Sequence, residues 1–390
     1  MRLGFKRALG TSTVLAAMAA LVVSAAPATA QNGAADPPAP QYRYDPTFPK
    51  PLPNKWVFNT ITGVTVDSHD NVWILQRSEG GNKDNYGAEK NPPVNDCCVH
   101  APSVMAFNPQ GEVIAAWGGK DYVPGWPLQE HTILVDSQDH VWVGGNAAGD
   151  TFLEFTKDGK LLRDWGHRGP RHPGLAKTMD QNNQETDLLL RGTAAAVFDE
   201  KEREVIFADG YLNKRIMVYD IDTGAFKRGW GAYGKPLSEI DDVWAPDRKP
   251  NEPPRKDFTP SIHCVVTSKE NLLYVCDRNG NRVQVFTKAG KFVREYIIKP
   301  ETLGNGSVAG LALSSDPKQT WMFVTDMEDA TIWIVNRESG KIAGQIGRKG
   351  AEGGNFGRPH VSTGDSKGDL YVGEIGGWPR LQKFVPVAAK

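Results

Sequence analysis

Short apolar runs separated by polar turns recur along most of the chain, and residues 261–286 show the pattern most clearly. An apolar run holding His263 meets a polar turn at 268–271, and a second run ends at Asp277-Arg278. After Asn279-Gly280-Asn281 a third run begins at Arg282. Runs of about four to six residues rich in Val, Leu, Tyr and Phe, bounded by Asn, Gly, Asp and Lys, predict strands joined by hairpins. The unit reads as one up-and-down β-meander.

The same order of signals returns in six segments. Residues 63–67 lead to 72–75. Residues 131–136 lead to 141–143, 152–155 and Trp165-Gly166, and residues 193–199 lead to 205–207, 215–219 and Trp230-Gly231. The unit at 261–298 is followed by 308–347 and 360–384. About four short strands over roughly forty to fifty residues is the content of a propeller blade. The expected fold is therefore all-β, a six-bladed β-propeller over residues 56–390. The sixth segment stops after its third strand, so residues before Gly63 are expected to supply the fourth and close the ring, which removes exposed sheet edges.

In a blade the first strand lines the central channel and the others follow outward. The start of strand one and the ends of strands two and four then share one face. Three long insertions, at 78–100, 166–190 and 231–260, all fall on that face. Long loops gathered on one side of a rigid scaffold are where a binding site is usually built.

Composition adds boundaries to this picture. With 390 residues and a formal charge of -1 the chain carries no basic bias, so nucleic acid is not an expected partner. Arg2, Lys6 and Arg7, an apolar run at 14–26 too short to span a bilayer, and Ala28-Thr29-Ala30 read as a secretory signal over residues 1–30. The expected product is secreted or periplasmic, monomeric and free of membrane anchors, with residues 31–55 as a Pro-rich extended arm. Cys264 and Cys276 lie at mirror positions around the turn at 268–271 and can face each other as a disulfide. Cys97-Cys98 can bond internally, to a partner or not at all.

Candidate chemistry follows from one repeat position. Five residues before the first-turn Asp or Ser, the second, fourth and sixth segments carry His131, His263 and His360, while the others carry Thr62, Ala194 and Ala309. Alternate blades of a six-membered ring are about 120° apart, so the three imidazoles are expected to converge on the axis. Three His ligands with an open fourth position form a catalytic zinc site; copper, iron and nickel also suit imidazole. The ends of second strands offer Arg77, Asp209-Gly210-Tyr211 and Asp277-Arg278 on the same face. Arginine binds carboxylates bidentately. A phenol acts as a base near neutrality only beside a cation.

The stretches Asp209-Gly210-Tyr211-Leu212-Asn213-Lys214-Arg215-Ile216 and Asp277-Arg278-Asn279-Gly280-Asn281-Arg282-Val283 resemble the NHL repeats of the peptidyl-α-hydroxyglycine α-amidating lyase family. The resemblance implies a six-bladed propeller with zinc on His131, His263 and His360, Tyr211 as the catalytic tyrosine, and Arg278 and Arg77 as active-site arginines. It also implies a peptide or small-molecule substrate bearing a carboxylate. The family's calcium-binding aspartate is Val361 here, which argues against a structural calcium, and the cysteine after its tyrosine is Leu212. Two other readings of the same scaffold are a metal-dependent lactone or ester hydrolase and a non-catalytic propeller that binds protein or glycan.

Overall fold

The computed structural model describes residues 36–79, 87–88, 90, 92, 94, 96–147, 151–165, 184, 192–241, 243 and 248–387. The expected signal segment 1–30 and nearly all of the insertion 166–190 lie outside the described residues. The chain divides into units 1–37 and 38–390, and the second is the propeller.

Six four-stranded sheets make up the propeller. Their inner strands are Ile61–Val66, Glu130–Val135, Thr193–Asp199, Ile262–Thr267, Gly310–Leu313 and Arg358–Gly364. Each packs against the inner strands of both neighbours, the last against the first, so the ring is closed. No α-helix occurs among the described residues; Ala232–Gly234 and Leu237–Glu239 are single 3-10 turns. No helix there is long and apolar enough to cross a membrane.

Closure comes from within the segment expected to be an extended arm. Tyr42–Tyr44 pairs antiparallel with Leu381–Pro386 as the outermost strand of the sixth blade. The propeller thus begins near residue 42 and not at 56. The alternation Tyr-Arg-Tyr explains why: Tyr42 lies edge-on to Phe323 at 5.3 Å and Tyr44 packs on Phe384 at 6.1 Å. Trp56–Val57, by contrast, forms a small parallel pair with Val99–His100.

Three of the six short hairpins between first and second strands, those of blades one, two and six, share one device. Asp136 Oδ1 accepts from the backbone N–H groups of Gln138 and His140, and its Oδ2 accepts from Trp142 Nε1 at 2.9 Å. Asp67 with Trp73 and Asp365 with Tyr371 repeat the arrangement. Aspartate favours such turns because its carboxylate caps the backbone two residues on. A ring of tight turns therefore fixes the lower face, and the long loops are left to the upper one.

Carboxylate–guanidinium pairs tie second strands to third strands. Asp209 with Arg215 and Asp277 with Arg282, each pair fully buried at 2.8 Å, occupy matching places in blades three and four. Glu374 and Arg380 do the same in blade six at 2.9 Å. In blade five Thr331 stands where the arginine belongs, and burial pushes the Asp326 carboxyl up to about 6. Removing one partner of such a buried pair costs about 3–5 kcal/mol. Both cysteine pairs are disulfides, Cys264 to Cys276 across their hairpin at a Cα separation of 4.8 Å and Cys97 to Cys98 within itself.

Candidate active site

A β-bulge sits at the repeat position singled out above. The strand register shifts between Glu130 and Thr132, between Ile262 and Cys264, and between Pro359 and Val361, so each histidine is the extra residue of a bulge. Thr62 and Ala194 occupy the same kink in their blades. A bulged residue leaves the ladder and its side chain is re-aimed. Here the re-aimed side chains meet: the imidazole centroids of His131, His263 and His360 are 5.1, 5.1 and 4.7 Å apart, with planes 77° to 88° to one another. One ligand atom from each lies within 4.8 Å of the others.

The three blades without a histidine supply the orientation. His131 Nδ1 donates to Ala194 O at 2.8 Å, and His263 Nδ1 donates to Ala309 O at 2.5 Å. Each acceptor is the backbone carbonyl at the equivalent position of the next blade. His360 faces Thr62 in the same sense, but its Nδ1 reaches no partner of good geometry. A donating Nδ1 fixes the tautomer and leaves Nε2 as an acceptor.

Tyr211 closes over this ring. Its hydroxyl lies 3.0 Å from His131 Nε2 and 2.9 Å from His263 Nε2. One O–H can serve only one of these two acceptors, so lone pairs face each other at the axis unless a cation lies among them. The donor set therefore fits a metal ion: three buried imidazoles whose ligand atoms converge, two of them fixed by carbonyls with Nε2 left as an acceptor. Such a set suits zinc, whose bonds to imidazole nitrogen are about 2.0–2.1 Å, as it suits copper, iron and nickel.

Electrostatics keep the imidazoles neutral. Burial first, and then the Arg77 guanidinium, push His131 down to about 3. Burial and Arg278 push His263 well below its usual value, and burial with His131 and Arg278 does so for His360. Protons then compete poorly for the ligand nitrogens. Zinc affinity is expected to stay within about tenfold between pH 7.5 and 5.5, where three imidazoles of ordinary pKa would together cost about a thousandfold. Chelator competition at the two pH values checks this, and a thousandfold fall would contradict it.

The arginines sit at one repeat position in opposite blades. Arg77 N–H donates to Thr60 O at 2.9 Å and Arg278 N–H donates to Ser261 O at 3.2 Å, each acceptor two residues before its bulge. Among the described residues Arg278 is held by neutral oxygens alone: Ser261 Oγ at 3.1 Å, Asn305 Oδ1 at 3.3 Å and Asn279 Oδ1 at 3.2 Å. Its guanidinium lies 5.7 Å from the Tyr211 ring centroid. Arg77 Nε is buried without a partner, and no carboxylate pairs with Arg77 among the described residues. Two uncompensated cations beside neutral ligands make an anion-seeking site. Arg215 and Arg282, by contrast, spend their charge on buried aspartates.

Backbone packing welds these groups together. Ser261, at the left-handed φ of 77°, donates its N–H to Gly210 O at 2.6 Å while receiving two hydrogen bonds from Arg278. A Cβ on Gly210 would meet Ile262 O at 2.2 Å, so only glycine lets the Tyr211 loop approach the His263 strand this closely. One crossing thus spaces Tyr211, His263 and Arg278.

Residues 259–286 match the NHL repeat. This NHL unit contains Ser261, His263, Asp277, Arg278 and Arg282, the fourth blade's share of both site and scaffold. Comparison with curated proteins gives no match. Among solved structures the chain is similar to a protein of unknown function from Bacteroides thetaiotaomicron, at 12% identity over 85% of this chain and 70% of that one, TM-score 0.52. It is similar to streptogramin B lyase at 12% identity over 89% and 98%, TM-score 0.50. A catalytically inactive virginiamycin B lyase from Staphylococcus aureus aligns at 16% identity over 88% of each chain, TM-score 0.47. The NHL unit agrees with the six-bladed propeller.

All six residues expected at the site, His131, His263, His360, Tyr211, Arg77 and Arg278, lie on the upper face around the axis. Sequence reasoning passed over Asn146. It stands fifteen residues after the bulged His131, as Arg77 stands after Thr62 and Arg278 after His263. Its N–H donates to Gln129 O at 2.9 Å, the same contact that Arg77 and Arg278 make. That constant offset is the signal by which it could have been found.

Proposed function

We propose that this chain is a zinc-dependent lyase that splits an N-acyl-α-hydroxyglycine-like carbinolamide, R-CO-NH-CH(OH)-COO⁻, into a primary amide and glyoxylate. One observation carries the reading: a phenol hydroxyl lies about 3 Å from two axial imidazole nitrogens, with Arg278 beside it and paired to no carboxylate among the described residues. The site thus offers a metal position, a proton-transfer group and an anion clamp on one face. Bound zinc would supply Lewis acidity toward a substrate oxygen.

The remaining work falls to side chains. Arg278 and Arg77 bind and orient the carboxylate. Tyr211 takes the proton of the substrate hydroxyl as the C–O bond gains double-bond character and the C–N bond breaks. The departing nitrogen keeps the bonding pair and acquires a proton, so the phenol is the group through which that proton passes. Support for a lyase comes also from the name of streptogramin B lyase, whose fold this chain shares. The signal-like segment 1–30 and two cysteine pairs support export.

The test is an assay of the purified, zinc-loaded protein on N-benzoyl-α-hydroxyglycine, reading glyoxylate release. Turnover abolished by a chelator and restored by zinc is expected. Lactone opening without glyoxylate release would assign the same site to hydrolysis, and a protein that takes up no metal would overturn the reading.

A further inference from the structure

Arg278 is buried, at 7% exposure, and of the five N–H donors of a guanidinium side chain its surroundings engage three. Nη2 donates to Ser261 Oγ and to Asn305 Oδ1, and Nε donates to Asn279 Oδ1. The two donors of Nη1 meet no acceptor among the described residues. A carboxylate that reaches Arg278 is therefore met by Nη1, and the groups that hold Nη2 decide where Nη1 points.

One of those groups is itself held from the next blade. Asn305 donates to Glu328 Oε1 twice, from its backbone N–H at 3.1 Å and from Nδ2 at 2.8 Å. Glu328 follows the second strand of blade five, Trp321–Asp326, and its own N–H donates to Asp326 Oδ1 at 3.0 Å. An ionised carboxylate only accepts hydrogen bonds and a guanidinium only donates them. A carboxamide between the two has one favourable orientation, nitrogen toward Glu328 and oxygen toward Arg278. The carboxylate thus acts on Arg278 through a neutral relay, and the guanidinium keeps its charge for a ligand.

The backbone is shaped for this contact. Gly304 and Gly306 flank Asn305 at φ of 63° and 76°, the left-handed region that glycine enters without strain. A Cβ on Gly306 would meet Arg278 O at 2.0 Å, and one on Gly304 would lie 3.1 Å from the carboxyl carbon of Glu328. The loop is wedged between the two residues that Asn305 joins.

We propose that Asn305 and Glu328 are positioning residues that fix the Arg278 guanidinium with Nη1 toward the substrate carboxylate. The inference rests on the reading of Arg278 as the carboxylate clamp of the lyase. Glu328 works by orienting the Asn305 carboxamide, so its acceptor oxygen matters and its charge does not. Arg358 Nη2 also reaches Glu328 Oε1, at 3.4 Å, and an effect carried by that ion pair would need the charge instead.

The experiment compares wild type with Asn305→Leu, Glu328→Ala and Glu328→Gln, each zinc-loaded and checked for zinc content. Calorimetry reads the Kd of hippurate, which has the acyl group and carboxylate of the substrate without its hydroxyl. Glyoxylate release from N-benzoyl-α-hydroxyglycine reads KM and kcat. Both Kd and KM should rise about tenfold in Asn305→Leu and about fivefold in Glu328→Ala, with kcat little changed. Glu328→Gln, whose amide oxygen can accept the same two N–H groups, should stay within about twofold of wild type. A glutamine variant as weak as the alanine variant, an unchanged Kd throughout, or a loss confined to kcat would overturn the proposal. So would a wild type that binds no hippurate, since Arg278 would then be no clamp. Hippurate binding that follows the expected order without any turnover would support the positioning pair and sink the lyase reading alone.

Discussion

Tyr211→Phe is expected to lower kcat by about 10²–10⁴-fold while zinc stays bound at one equivalent. The hydroxyl lies 3.0 and 2.9 Å from two ligand nitrogens, whereas the ring rests against Arg278 and the imidazoles of His131 and His263. Phenylalanine keeps those ring contacts and removes only the oxygen. The backbone bond from residue 211 to Gly192 also survives, so the upper face should keep its shape. Stopped-assay kinetics with metal analysis on the same preparation decide the matter. Unchanged turnover would remove Tyr211 from the reaction.

The second large effect is on the metal itself. His263→Ala should strip zinc from the protein at ordinary concentrations and abolish activity. Loss of a group that merely supports a ligand already costs about 10–100-fold in affinity, and loss of a ligand costs more. Burial of the site makes substitution by water poor compensation, because His263 is 2% exposed and Arg278 opposes any further positive charge. The inner strand itself should hold: Cys264, next in sequence, remains tied to Cys276, and the ladder around the bulge is unaffected. Elemental analysis after dialysis against a weak chelator reads the outcome. A variant that keeps a full equivalent of zinc would show that the imidazoles only pack the channel.

Below the ligand ring a cavity of about 320 Å³ continues toward the face of the short hairpins, lined by His131, Thr132, His263 and Cys264 among others. Its walls are inner-strand side chains, small or β-branched for most of their length. The metal position thus closes the upper end of a channel that the propeller would have in any case. The chemistry proposed above is confined to that end because the arginines and Tyr211 follow second strands, which finish on the upper face.

Much of this was legible before any coordinates. Alternation and turn residues marked the strands, because a half-buried sheet face demands period two. A recurring order of signals marked the blades, because each blade can bury its faces only against copies of itself. The offset between His131, His263 and His360 and their hairpin turns placed them at one level of the ring. Three things escaped. The place of the closing strand escaped, though not its existence: Tyr42–Tyr44 is only three residues long and lies in a Pro-rich segment. The bulges change register without changing residue type. Asn146 carries no charge and matches no motif, so in the sequence only its offset from His131 marks it.

The sequence by itself determined which residues recur at equivalent positions, and with six blades that is enough to put them on one face. It could not determine what the backbone does at those positions. The bulge at each histidine and the carbonyls of Ala194 and Ala309 that orient two of the imidazoles are tertiary facts. So is the crossing of Gly210 and Ser261 that spaces phenol, ligand and guanidinium. Periodicity records how a chain meets its own neighbours along a strand; the aim of a side chain depends on contacts between blades, which are far apart in sequence and leave no period in it.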